Sequence, residues 1–69
     1  MSPDTILELL TDNKWHDISE LADKLNQPEK PLITILNFYE KFEFIQFDKE
    51  QKKVLIDPNM REFFLQTQE

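Results

Sequence analysis

The sequence predicts one α+β domain: a three-helix bundle, a two-stranded hairpin with a short first strand beside it, and an extra C-terminal helix. Three observations carry this expectation. Apolar residues recur at helical spacing in four segments, seen in Ile6/Leu9/Leu10, Ile18/Leu21/Ala22/Leu25, Leu32/Ile35/Leu36/Tyr39 and Met60/Phe63/Phe64. Two runs rich in strand formers, 44–47 and 53–56, flank the polar stretch Asp48-Lys49-Glu50-Gln51-Lys52. The 69 residues hold no repeat, low-complexity tract or linker, and are enough for one domain spanning 1–69.

The first helix is expected over about 3–12, with Ser2 as cap, Pro3 in the first helical position, Asp4 at the positive end of the dipole and Thr11-Asp12-Asn13 as the stop. Lys14-Trp15-His16 is too short for a helix and suits a brief edge strand, with Trp15 covering the core and His16 on the surface. Asp17 and Glu20 have the spacing of a capping box and open a helix over about 18–25. Pro28 and Pro31 push the residues before them toward extended geometry, so the third helix starts between them and runs to about 42. At 100° per residue, Leu32, Ile35, Leu36, Tyr39 and Phe42 fall on one side, Ile33, Thr34, Asn37, Glu40 and Lys41 fall opposite, and Phe38 sits on the flank. The hairpin follows over about 44–57. Asp57-Pro58 then repeats the cap-plus-proline signal and starts a helix over about 58–67. Phe63, Phe64 and Leu65 cannot all point into one core, so Phe63 and Phe64 are candidate contacts of a homodimer. A dimer would also supply apolar burial that so small a core lacks.

Composition narrows the chemistry. There is no cysteine, so no disulfide or thiolate metal site is available; with His16 the single histidine, no metal site is expected. Glycine is absent, which removes glycine-rich phosphate loops, and no nucleotide or other cofactor is expected. No apolar run is long enough for a membrane span, and Met1-Ser2-Pro3-Asp4 carries no export signal, so a cytoplasmic protein is expected. Asp12, Asp17, Glu20 and Asp23 are placed as caps and on exposed helix faces, without a partner nucleophile or base, so catalysis is not expected.

The element order resembles the winged helix-turn-helix family across essentially the whole chain. Ile18-Ser19-Glu20-Leu21-Ala22-Asp23-Lys24-Leu25 resembles the first helix of the motif (about 18–42), with small Ala22 where two helices cross closely. Leu36-Asn37-Phe38-Tyr39-Glu40-Lys41-Phe42-Glu43-Phe44-Ile45 resembles the end of the recognition helix running into the first wing strand. The chain is especially similar to small archaeal winged-helix DNA-binding proteins, although the family usually has glycine where this chain has Glu43. The resemblance implies a transcriptional regulator that puts the second helix of the motif in the major groove of duplex DNA and the wing on phosphate. Base-reading positions would then be Lys30, Ile33, Thr34, Asn37 and Lys41, with backbone contacts from Lys49, Lys52 and Lys53. Asn37 has the bidentate chemistry that reads adenine, and Ser19 or Gln27 would add phosphate contacts.

Charge pulls the other way. The net charge is −6, and residues 1–26 hold two lysines against six carboxylates, whereas the other five lysines lie in 27–57. Phosphate binding draws on Lys and Arg. The alternative is an acidic winged-helix module for protein–protein interaction within a larger complex, using the acidic front third and an outward Ile33.

Overall fold

The chain closes a three-stranded sheet around one hairpin and packs helices against it. The structure is a computed structural model and describes residues 4–66. The elements are α1 (Asp4–Leu9), β1 (His16–Asp17), α2 (Ile18–Leu25), α3 (Glu29–Lys41), β2 (Ile45–Asp48), β3 (Lys53–Ile56) and α4 (Pro58–Gln66). The expected α+β class and element order hold; the expected Ser2 cap, Pro3 and the last residue of the fourth helix lie outside the described residues. The sheet order is β1-β3-β2, antiparallel throughout, with Ile45 opposite Ile56, Asp48 opposite Lys53, and His16 opposite Val54. Among the described residues no helix is long and apolar enough to cross a membrane.

The core draws on every helix and on β2 and β3. Ile6 and Leu10 meet Ile18 and Leu21 from α2, Leu36 from α3, and Val54 and Ile56 from β3, all with almost no exposure. Each such aliphatic side chain contributes about 1.5–3 kcal/mol by leaving water. Phe64 of α4 seals the same cluster at 5% exposure. That removes Phe64 from any surface offered to a second copy: the 100° step between neighbours sends Phe64 inward and Phe63 outward.

Helix ends solve the absence of glycine with side-chain-bearing residues. Asn13, Asn26, Glu43 and Lys52 all take positive φ, between 54° and 62°. After α2, the Asn26 and Gln27 N–H groups donate to Asp23 and Ala22 carbonyls at 3.2 and 3.0 Å. After α3, Glu43 and Phe44 donate to Glu40 and Tyr39, both at 2.9 Å. Both are Schellman closures, which need a left-handed residue just past the helix. In the hairpin, one Asp48 carboxylate oxygen accepts the N–H groups of Glu50 and Gln51, both at 3.1 Å. Asp57 caps α4, accepting from Asn59 and Met60 at 3.0 and 3.3 Å. Arg61 then ties α4 to the front of the chain by donating Nε–H to the Thr11 carbonyl at 2.7 Å.

Several expectations are corrected. α1 ends at Leu9 rather than near 12, because the chain tightens through Leu10→Leu7 and Thr11→Glu8 bonds and turns at left-handed Asn13. Asp12 accepts the Lys14 N–H at 3.1 Å, holding 12–14 as a turn and moving the strand on to His16–Asp17. The surface assignments of Trp15 and His16 reverse: Trp15 is 47% exposed and His16 only 7%. Asp17 opens α2 without a side-chain cap bond, so the capping box is not formed; the Glu20 carboxylate is engaged by the His16 ring instead. On α3, Leu32, Leu36 and Tyr39 are buried as expected, but Ile35 and Phe42 are exposed. Ile33, expected to point outward, is half-buried against the core.

Candidate functional site

α3 carries three lengthwise faces, set by its side-chain period. Leu32, Leu36 and Tyr39 lie at steps of four and three and form the buried face. Lys30, Thr34, Asn37 and Lys41 are exposed and share a polar face. Phe38 and Phe42, with Ile35 beside them, form a third, apolar face; Phe38 is 57% and Phe42 54% exposed. The polar face is a full helix long, since Lys30 and Lys41 are eleven residues apart, about 16 Å at 1.5 Å per residue.

The hairpin meets α3 at the edge of its polar face. Ile33 and Asn37 from α3, Ile18 from α2, and Phe47, Lys49 and Lys52 from the hairpin line one open cleft of about 250 Å³. Lys49 Nζ lies 3.5 Å from a Glu40 carboxylate oxygen and 5.9 Å above the Phe47 ring, which braces the hairpin against α3. Lys52 reaches the cleft from the left-handed position of the turn, with its carbonyl accepting the Ile18 N–H at 3.0 Å. Lys53 is set apart from these two. It lies within β3, half-buried, with Asp17 and Asp48 as register partners on either side.

The predicted contact residues thus divide. Ile33, Asn37, Lys49 and Lys52 are brought together around the cleft; Lys30, Thr34 and Lys41 continue the same helix face beyond it. Thr34 donates its hydroxyl to the Lys30 carbonyl at 3.2 Å, leaving its oxygen lone pairs as acceptors. Ser19 and Gln27 are exposed, but the Gln27 N–H is already spent on the Ala22 carbonyl. Phe47 was not singled out from the sequence. Its signal was the strand period, which puts it on the face of Ile45, at the end of the strand nearest the turn.

A second constellation lies away from α3. His16 donates from Nε2 to Asp12 Oδ1 at 2.8 Å and from Nδ1 to Glu20 Oε1 at 2.9 Å. A neutral imidazole has one N–H, so satisfying two carboxylates requires the imidazolium. Burial works against that charge, but the hydrogen bonds to Asp12 and Glu20 outweigh it and hold the His16 pKa above its ordinary value of 6.5. The His16 bond correspondingly lowers Asp12 from 3.8 and Glu20 from 4.5. Lys24 Nζ lies 3.6 Å from the other Glu20 oxygen. The cluster pins the turn after α1 to β1 and α2. Among the described residues no group of three His, Asp or Glu side chains is arranged to hold a metal ion.

A third feature is a cleft of about 590 Å³ between the end of α3, β2 and α4, walled by Phe42, Phe44, Met60 and Phe63. No family model, no curated protein and no solved structure matches the chain.

Proposed function

We propose that the chain is a winged helix-turn-helix domain that binds duplex DNA, with α2 and α3 as the motif, α3 as recognition helix and the β2–β3 hairpin as wing. The observation that carries this reading is the shared cleft, in which Ile33 and Asn37 of α3 stand beside Lys49 and Lys52 of the hairpin. A helix that reads base edges and a hairpin that touches the neighbouring phosphates must be close enough to act on one stretch of DNA. The order of helices and hairpin and the strand order β1-β3-β2 also suit such a domain.

In this reading Asn37 pairs with adenine through its amide, Thr34 accepts from a base edge, and Ile33 offers a methyl-sized apolar contact to thymine. Lys30 and Lys41 mark the two ends of the reading face, while Lys49 and Lys52 supply phosphate contacts. Lys53, flanked by carboxylates, contributes little. The −6 net charge demands one orientation: α3 and the wing face the DNA, and the acidic turn and α2 point away. Affinity then depends more on base contacts than on counterion release.

The test is selection from a random duplex pool at about 50 mM salt, followed by fluorescence anisotropy on the enriched site. Asn37→Ala should weaken binding by about tenfold, the worth of one good bidentate base contact. Replacing Lys49 and Lys52 by alanine together should reduce the salt slope by about two phosphate contacts. Folded protein at tens of micromolar that retains no duplex at that salt sinks the proposal.

A further inference from the structure

The third face of α3 is unlike the surface around it. Phe38 and Phe42 pack ring to ring at 4.8 Å, and Phe42 continues to Phe44 at 5.9 Å. Phe42 and Phe63, each 54% exposed, face the cleft between α3 and α4. Scattered exposed apolar residues are ordinary, but a connected aromatic patch running into a concave cleft is not. Its polar lining is one-signed. Among the described residues Glu40, Glu43 and Asp57 line the cleft and no lysine or arginine does, although Lys49 pairs with Glu40 from outside it.

We propose that this cleft docks a basic, apolar segment of another protein, one that sets an Arg or Lys beside a Leu or Phe. The charge pattern selects this occupant. A second copy of the chain would bring the same three carboxylates and a further −6 to the contact. Duplex DNA would meet the same carboxylates with phosphate. A guanidinium satisfies both features at once, because it pairs with carboxylate and stacks on an aromatic face. The apolar side chain fills the space between Phe42, Phe44 and Phe63, and a cation reaches Glu43 at the rim, while Glu40 is already paired with Lys49. Asp57 is occupied in capping α4 and adds its field without having to move. This surface lies on a different side of α3 from Asn37, so it stands or falls independently of the DNA reading.

The experiment uses the ¹⁵N-labelled chain and two short synthetic peptides. One alternates Arg with Leu and Phe; the other has every Arg replaced by Glu. The Arg peptide should shift the amides of Phe42, Glu43, Phe44 and Phe63, and the Glu peptide should not. Phe42→Ser and Glu43→Lys should each weaken the Arg peptide by about tenfold, with melting temperature checked to show that both variants fold. Asn37→Ala should bind the peptide as the parent does. The proposal is overturned if both peptides bind alike, or if the shifts map elsewhere. It is equally overturned if the patch is already filled by a second copy, seen as concentration-dependent shifts and a dimer mass in sedimentation, or if duplex DNA moves the same amides.

Discussion

His16 shows how one residue can join three segments and give the chain a pH response. Its ring is buried between Asp12 from the turn after α1 and Glu20 from α2, at 2.8 and 2.9 Å. The folded pKa is raised, so the folded state holds the proton more tightly than the unfolded chain. That stabilisation is complete below about 6.5, the unfolded value, and is lost as pH rises through the raised folded value. Asp12 and Glu20 are lowered, so their contribution is complete above about 4.5 and is lost as pH falls through their lowered values. The cluster therefore favours folding most between those limits. The expected result is a lower melting temperature at pH 8 than at pH 6, with a His16 NMR titration midpoint above 6.5. His16→Gln should remove most of that difference, and an unchanged difference in the variant would sink the assignment. None of this was legible in the sequence. The spacing 12, 16, 20 imitates a helix, but a turn and a strand lie between, and only the fold turns the ring inward. Trp15, the more apolar neighbour, was the natural candidate for burial, yet neighbouring residues of an extended segment face opposite ways and the inward position fell to His16.

At the scale of elements, α2, the hairpin and the centre of α3 could be read because a single pattern determined each. Leu32, Leu36 and Tyr39 are the middle of an apolar stripe. Its flanks could not be read: Ile33 on one side and Ile35 and Phe42 on the other are equally apolar, and the hairpin decides which flank is covered. The capping box at Asp17 and Glu20 failed for a similar reason, since a better partner for Glu20 arrives from outside the helix. The exit from α3 gives the sharpest test. Glu43 sits at φ 61° with a Cβ that the left-handed region disfavours by about 1–2 kcal/mol. Glycine removes that cost but gives back part of it as unfolded-state entropy. Glu43→Gly should therefore stabilise the chain by about 0.5–1 kcal/mol, raising the melting temperature by about 2–8 °C. Glu43→Ala keeps the Cβ and loses the charge. A gain in the alanine variant equal to that of the glycine variant would show that charge, rather than backbone geometry, had been relieved.

For the molecule as a whole, charge opposes the core. The chain buries one modest cluster and carries −6 on a body with a Cα radius of gyration of 11.2 Å. At low salt the Debye length exceeds that radius, about 30 Å at 0.01 M, so surface carboxylates on opposite sides repel one another. Unfolding separates them, which makes self-repulsion a direct charge against the folded state. The lysine–glutamate pairs offset little of it: Lys24–Glu20 and Lys49–Glu40 lie at 3.6 and 3.5 Å on largely solvent-facing side chains, a class worth about 0–1 kcal/mol. Adding sodium chloride should then stabilise the chain. Screening removes the long-range repulsion first, whereas the His16 hydrogen bonds act at contact distance and keep most of their strength. Between about 10 mM and 300 mM salt, where the Debye length falls below the radius, the melting temperature should rise by several degrees, about 4–8 °C per kcal/mol recovered. Duplex binding through Lys49 and Lys52 should weaken over the same interval, because salt competes for phosphate. The two responses have opposite sign, so measuring both on one sample separates surface repulsion from the proposed contacts. A melting temperature that falls with salt would mean that attractive pairs, rather than the acid excess, dominate the electrostatics of the fold.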